Sequence, residues 1–489
     1  MMTRTEKVKI VIAGGGFAGL GAAMYLDKTL ARRPDIEVTL VSRENFVLFT
    51  PMLHEVAAGE LNPGDIVNPI RRILRHVKFV QAEVHRVDMD VRAVRCIGGV
   101  GRVEVDLDFD HLILALGAET NSFDVPGVGE WAVAMKSLTD AALLRNRVVA
   151  LLEEAALQID EAARRRLLTF VAAGGGFAGV ETIGALNDFA REAVQHYPEL
   201  NEALIRVVLV HPGQWLLPEL GEELGRYAER KLCERGVDVI IGARVARYDG
   251  SVVELDNGTA IPAETLIWTA GVKPSPVIEP LGCQKLKGRL LVNEFLGVPD
   301  VPGLWAVGDS AAVPDGTTGN THPPTAQHAL REGRTAARNI EATILGRSLT
   351  PFAYSMQGQL ATIGRRTGVA LVFGLRFSGF VAWWLWRTVY VMKLPRLTKK
   401  LRVLASWTLD LLFGTEIEQL VTLRDVDAVT QWLDRIRARD ERPVALAPAT
   451  RPESCAAMTS ATGAERRPGA HRQSTADSSG RPTSGGGHQ

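Results

Sequence analysis

The stretch AGGGFAG occupies Ala13–Gly19, and the same seven residues return at Ala173–Gly179, 160 positions further on. Each copy is entered from an apolar run, KIVIA for the first and LTFVA for the second, and opens a segment whose apolar residues recur at helical spacing. Short continuous apolar runs bounded by turn residues read as buried strands, so each copy is a strand, loop and helix in succession. The loop glycines fall as GxGxxG, at Gly14, Gly16 and Gly19 and again at Gly174, Gly176 and Gly179. That spacing allows a tight turn, brings a diphosphate against the backbone and packs the helix closely on the strand. The diphosphate would rest on the helix N-terminus, where unpaired N–H groups and the helix dipole favour negative charge. One such motif is a weak signal. Two of them, each followed by another strand (VTLV at 38–41 and RVVLV at 206–210), ask for two dinucleotides in one chain.

A pair of bound dinucleotides suggests a flavin and a nicotinamide nucleotide, since a hydride donor and a redox relay each need a cradle. HLILALGAETNSFDVPG at 111–127 is a short apolar strand ending in small residues, and LIWTAGVKPSP at 266–276 is its counterpart after the second unit. GLWAVGDSA at 303–311 ends a further strand on Gly308 and Asp309, an acidic residue on a tight turn suited to bonding a flavin's hydroxyl-bearing chain. With these motifs in this order, the chain resembles the two-dinucleotide-binding-domain flavoproteins, and specifically the type II (non-proton-pumping) NADH dehydrogenases, over roughly residues 7–437. The resemblance implies FAD held without a covalent bond, NADH or NADPH as co-substrate, and a membrane quinone as acceptor. Two other functions fit two cradles: a soluble NAD(P)H reductase serving a protein carrier, and a redox-sensing protein that binds both nucleotides without turnover.

The expected fold is α/β, with two Rossmann-like domains, the FAD domain carrying an inserted NAD(P)H domain, plus a C-terminal amphipathic helical membrane-binding region. Residues 7–125 read as the first half of the FAD domain and 126–163 as a charged helical bridge. Residues 164–285 form the NAD(P)H domain, and 286–350 return to the FAD domain through a strand RLLVNEFL at 289–296. Residues 351–440 form the membrane-associating or dimer-forming region. Beyond 440 the chain turns to Pro, Ser, Thr, Gly and Arg with few large apolar residues, a composition that cannot bury enough surface to fold.

With 489 residues and 46% hydrophobic content the chain has ordinary globular composition. Lys and Arg number 56, as do Asp and Glu, so no overall field draws nucleic acid. MMTRTEKVKIVIAGGG leaves no room for a signal peptide's apolar core, and the catalytic body is expected on the cytoplasmic face of the cell membrane. Cys96, Cys233, Cys283 and Cys455 lie far apart, which argues against a metal site or a disulfide scaffold. The segment NFVLFTPMLHEVAAGEL, where disulfide reductases carry a redox cysteine pair, contains none.

The segment 376–413 differs from the rest. Its apolar run, Phe377 to Met392, is about 16 residues long, contains Arg387 and falls short of the ~20 needed to span a bilayer. After Pro395 a helix places Leu397, Leu401, Leu404 and Leu411 along one side, with Arg396, Lys399, Lys400 and Arg402 on the others. Together with Trp383, Trp384, Trp386 and Trp407 this basic amphipathic pattern suits a lipid surface. A buried core helix or a homodimer contact would give the same pattern.

Candidate chemistry comes from comparing the two copies, which diverge just after the shared loop: AGGGFAGLGAAMYL against AGGGFAGVETIGAL. Gly21 becomes Glu181. A carboxylate in the first helical turn can simply favour the dipole. In the family, however, the matching glutamate lies near the nicotinamide and quinone side of the flavin, so the resemblance gives Glu181 a role in orienting substrates or delivering a proton. By the same resemblance Gln327, in PPTAQHALREG, lies beside the flavin ring at the quinone site. Arg331 and Glu332 depart from the paired glutamines common there. For the cofactors the resemblance points to Gly14, Gly16, Phe17, Ala18, Gly19, Ser42, Arg43, Val84, Ala115, Gly117, Gly308, Asp309, Gln327 and His328. In the second unit it points to Gly174, Gly176, Phe177, Ala178, Gly179, His211, Ala270 and Gly271. Ser42 can bond a ribose and Arg43 can cover an adenine, while His211, neither carboxylate nor guanidinium, leaves NADH and NADPH both acceptable.

Overall fold

In the computed structural model, which describes residues 7–420, the first loop runs from strand β1 (Val8–Ala13) into helix α1 (Phe17–Lys28). β1 pairs in parallel with β2 (Ile36–Ser42), Ala13 standing opposite Val41. A short helix α2 (Leu53–Ala57) follows, then β3 (Lys78–Asp88), β4 (Ala93–Gly98), β5 (Val103–Asp108) and β6 (His111–Leu114). β3 continues the parallel set beside β2, and β4 and β5 extend it as an antiparallel meander.

The second unit repeats the plan. β7 (Val133–Ala134) leads into α3 (Leu138–Leu157), then β8 (Thr169–Ala173), α4 (Phe177–Ala193), β9 (Arg206–His211), β10 (Val237–Ile241) and β11 (Thr265–Trp268). These strands form a five-stranded parallel sheet in the order β7-β11-β8-β9-β10. Ala173 stands opposite Val210 and Trp268, as Ala13 stands opposite Val41 and Leu114. Both central strands are buried towards their carboxyl ends, as the apolar runs require of parallel strands covered on two faces. The segment 126–163, read as a bridge, thus lends β7 to the second sheet, and α3 packs its Leu144, Val148 and Leu152 into that sheet's core.

β12 (Leu304–Ala306) returns to the first sheet beside β6, closing a seven-stranded order β12-β6-β1-β2-β3-β4-β5. The strand expected at 289–296 spans only Arg289–Leu291, because the Asn293 side chain accepts the N–H groups of Phe295 and Gly297 and turns the chain. Helix α5 (Ala326–Ile344) then lies along α1 so closely that a Cβ at Gly333 would overlap the Ala18 carbonyl and one at Gly21 the Leu330 carbonyl. The corresponding face of α4 packs instead on a C-terminal hairpin, β13 (Gly358–Thr362) and β14 (Gly368–Val372), where a Cβ at Gly184 would sit 2.7 Å from the Gly364 nitrogen. Gly21 is therefore a helix-packing glycine, and its counterpart Glu181 is freed from that duty.

β15 (Leu375–Ser378) completes the hairpin sheet, and α6 (Gly379–Lys393) and α7 (Leu397–Phe413) are the last helices among the described residues. Ala382, Trp386 and Val391 of α6 and Val403 and Trp407 of α7 are buried in the same core as α2 and α4. Two of the four tryptophans expected at a lipid surface are thus core residues, and Lys399 is buried with its ammonium bonded to the Gly64 carbonyl. Leu397, Leu401, Leu404 and Leu411 do face outward, at 70%, 58%, 47% and 61% exposure. Among the described residues no helix is long and apolar enough to cross a membrane. The readings for 421–440 and for the tail at 441–489 lie outside the described residues.

Candidate active site

The two glycine loops are near-copies in space as well as in sequence. Gly14 and Gly174 take φ of +108° and +112°, which L side chains rarely adopt. A Cβ at Gly19 or Gly179 would overlap the carbonyl oxygen of Gly14 or Gly174, so each helix is drawn tightly onto its loop. Gly16 and Gly176, the caps of α1 and α4, have open space in front of them with nothing within 4 Å of an added Cβ. Each loop therefore leaves room for a diphosphate against bare backbone, and neither helix carries an acidic residue in its first turn to repel one. The donor set fits two dinucleotides.

Both loops open toward one cavity of about 820 Å³ at the carboxyl ends of the two sheets. From the first unit it takes Gly16, Phe17, Ala18, Ala115, Gly117, Gly308, Asp309 and Gln327, and from the second Phe177, Ala178, Glu181 and Gly271. Tyr390 and Lys393 of α6 complete its wall, along with Arg331 and His54. The other expected binding residues sit outside this wall. Gly14, Gly19, Gly174, Gly176 and Gly179 shape the loops, and Ser42 lies buried beneath Gly15 at the end of β2. Arg43 is exposed, with Glu44 and Glu83 each 3.6 Å away, and Val84 is buried on β3. Ala270 lies past the end of β11. His328 is buried, with Nδ1 on the Thr325 hydroxyl at 2.8 Å and its ring against His322 and Tyr354. His211 accepts the Gly175 N–H through Nδ1 at 3.1 Å, and burial holds its imidazole below the ordinary value, so it pins the glycine loop as a neutral ring.

Glu181 lies in the second turn of α4, beyond the first-turn position expected from the sequence, and is only 8% exposed. Its Oε1 accepts the Trp386 indole N–H at 2.9 Å and the Thr362 backbone N–H at 3.2 Å. Oε2 faces His54 Nδ1 at 3.8 Å, and His54 Nε2 lies 3.1 Å from the Thr362 hydroxyl. Burial pushes the Glu181 carboxyl up to about 8, against the two N–H donors that favour its charged form. Burial, aided by Arg387, pushes the His54 imidazole down to about 3. At neutral pH the pair is a protonated acid beside a neutral base, so helix-dipole stabilisation of an anion does not account for Glu181. Such a group can hold and release a proton into the cavity.

Gln327 is fixed from two sides: its amide nitrogen donates to the Gly358 carbonyl at 3.1 Å and its oxygen accepts the Tyr354 hydroxyl at 2.8 Å. Arg331 stacks its guanidinium 4.1 Å over the Tyr354 ring, and Glu332 accepts the Gly308 N–H at 2.7 Å, holding the turn that presents Asp309. The two departures from paired glutamines therefore both brace the cavity. Beneath it, Arg387 lies between the rings of Trp383 and Trp407, at 4.3 and 4.4 Å, and faces Glu60 at 3.1 Å and Glu55 at 3.7 Å. Cys96, Cys233 and Cys283 are free, and no group of side chains among the described residues could hold a metal ion.

Comparison with known proteins accords with this geometry. Residues 8–333 match the pyridine nucleotide-disulphide oxidoreductase family and residues 356–416 the NDH2 C-terminal domain. A type II NADH:quinone oxidoreductase of Mycobacterium tuberculosis is 33% identical over 419 residues, 83% of this chain and 88% of that one. The type II NADH:quinone oxidoreductase of Staphylococcus aureus is 30% identical over 380 residues, 76% of this chain and 92% of that one. Among solved structures, NDH2 from Plasmodium falciparum in complex with NADH superposes with a TM-score of 0.78 at 21% identity, over 84% of this chain and all of that one.

Proposed function

The chain belongs to the type II NADH:quinone oxidoreductase family, and from that premise we infer how its residues divide the work of oxidising NADH with a quinone. The observation that carries the reading is that both glycine cradles open onto one cavity whose far wall is built by α6. FAD, when bound, supplies the two-electron relay between nicotinamide and quinone. The loop at Gly14–Gly19 takes the FAD diphosphate and the loop at Gly174–Gly179 that of NADH, with Asp309 bonding the flavin's hydroxyl-bearing chain. The FAD domain is then 7–125 with 286–350 and the NAD(P)H domain 164–285, to which the segment 126–163 adds its strand and helix.

Forming a quinol takes two electrons and two protons, whereas NADH delivers two electrons and one proton as hydride. The remaining proton comes from outside the nucleotide. Glu181 is positioned to hand it on: its Oε1 is engaged by Trp386 and Thr362, which leaves Oε2 to carry the proton. Gln327, held by Tyr354 and Gly358, offers a fixed amide at the acceptor side. No proton-conducting path across a membrane is part of this reading. A direct test is NADH oxidation by FAD-loaded protein in quinone-containing vesicles: turnover that depends on quinone supports it, and turnover only with a protein carrier such as ferredoxin overturns it.

The outer face of α6 and α7 is the proposed contact with membrane lipid, on the cytoplasmic face. Phe380, Val381 and Trp384 of α6 and Leu397, Leu401 and Leu404 of α7 are exposed, with Arg396 and Arg402 beside them. Burying such side chains at ~25 cal/mol per Å² and placing cations near anionic lipid at about 1 kcal/mol each gives useful affinity. Leu397→Ser, Leu401→Ser and Leu404→Ser together are expected to leave folding and ferricyanide reduction intact, yet reduce flotation with anionic vesicles at least tenfold. Unchanged flotation would sink the lipid assignment. A homodimer is the competing occupant, and loss of a sedimenting dimer in the same triple variant would identify it.

A further inference from the structure

Lys136 stands between β7 and α3, one residue ahead of the helix cap Ser137. Its backbone is firmly set. The Asp140 carboxylate accepts the N–H groups of both Lys136 and Ser137, at 2.9 and 2.7 Å, while the Ser137 hydroxyl accepts the Asp140 N–H. β7 is an edge strand of the second sheet, so the side chain springs from the carboxyl end of that sheet and lines the cavity. Its ammonium makes no side-chain hydrogen bond or ion pair among the described residues.

Asp309, on the turn after β12 of the first sheet, lines the same cavity. That turn is also firmly set: the Gly308 N–H is held by Glu332, and a Cβ at Gly308 would lie 3.3 Å from the Ala18 Cβ in the first turn of α1. Asp309 is thus fixed beside the diphosphate cradle of the first loop. The charges around it are Lys136, Arg289 and Glu332, and Lys136 in turn faces Asp309 and Glu119. A half-buried cation from the inserted domain and a half-buried carboxyl from the flavin domain therefore look into the same space without forming an ion pair. Burial presses each toward its neutral form, Asp309 upward and Lys136 downward, and each opposes that pressure on the other. Opposite charges withdrawn in part from water without pairing are costly unless a polar group joins them.

We propose that Lys136 is an FAD-holding residue supplied by the inserted domain: its ammonium and the Asp309 carboxylate together grip the hydroxyl-bearing and diphosphate stretch of FAD. This rests on the reading that the cavity holds FAD beside the first glycine loop. Lys136 acts both by contact with the cofactor and by keeping Asp309 ionised to accept its hydroxyls. The domain that binds the electron donor then also clamps the relay.

The experiment uses the full chain, with FAD dissociation constants from flavin fluorescence between pH 5 and 9 for wild type, K136M, K136R, D309N and K136M/D309N, and melting of each FAD-free protein as a control on folding. Failure of the wild type to hold FAD would overturn the functional reading itself; the present inference is decided by the variants. K136M is expected to weaken FAD binding tenfold to a hundredfold at pH 7, the scale of one hydrogen bond to a charged group. It is also expected to move the acid release of FAD to higher pH, because a carboxyl without its cation protonates sooner as pH falls. K136R should recover both properties, and in the D309N background K136M should no longer shift the acid edge. Wild-type FAD affinity and pH edge in K136M, or an edge shift of equal size with and without Asp309, overturns the proposal. Should K136M melt well below wild type without FAD, K136R and D309N decide it: D309N binding FAD like wild type at every pH rejects the grip.

Discussion

Glu181→Gln is expected to retain FAD and to be reduced by NADH, while losing about 10²-fold or more of its quinone turnover, the usual worth of a positioned acid. The substitution keeps an amide oxygen where the Trp386 and Thr362 N–H groups need an acceptor, so the surrounding hydrogen bonds survive. What it removes is the proton. Because burial holds the carboxyl at about 8, wild-type quinone reduction should be level through neutral pH and fall as pH rises past that value and the acid ionises. The Gln variant should be slow and lack that alkaline limb. Gln327→Ala removes a neutral contact, leaves the Tyr354 hydroxyl without its acceptor and should cost nearer tenfold. Stopped-flow flavin reduction separated from steady-state turnover with two quinones checks both. Wild-type turnover in Glu181→Gln, or an unchanged alkaline limb, would remove the residue from the reaction.

What the sequence discloses depends on how far apart along the chain the interacting residues lie. The two cradles were legible because each is local: the strand, the glycines and the helix lie within some 20 consecutive residues, and the repeat supplied its own control. Comparing copies also isolated Glu181, since a residue that replaces a packing glycine must face something new. Its partners were not legible. His54 meets Thr362 across 308 residues and Trp386 meets Glu181 across 205, and no spacing rule reaches so far. Trp386 and Trp407 were misassigned for a physical reason: an apolar helix face with indole N–H groups suits a lipid interface or a protein core that holds carboxylates, and hydropathy does not separate the two. The signal available was Arg387 within the apolar run, which calls for buried acidic partners more than for lipid. Lys136 escaped notice because a lysine ahead of a Ser cap looks like an ordinary solvated residue until the second sheet is built.

Arg387→Met is expected to destabilise the protein by about 3–5 kcal/mol, the cost of removing one partner from a buried ionic cluster. The guanidinium is the shared counter-charge of Glu55 and Glu60, and it fills the slot between Trp383 and Trp407 that ties α6 to α7. Methionine keeps much of the stem's packing, so the loss reports charge more than volume. Its pH dependence fixes the cause. Burial already raises both carboxyls, Glu60 to about 7, and Arg387 is the foremost influence holding them down. Without it both rise further, and the folded variant must retain protons that its unfolded chain releases near ordinary carboxyl values. Stability then falls with increasing pH from the unfolded value up through the raised folded one. The deficit against wild type should therefore be smaller at pH 5 and larger at pH 9, read from denaturant unfolding of FAD-loaded protein at each pH. Arg387→Lys restores charge but not the planar stack, and should recover part of the loss with the pH dependence largely suppressed. A deficit of the same size at pH 5 and pH 9 would show that Arg387 acts as a spacer between two indoles. The carboxyls beneath the cavity would then need no cation.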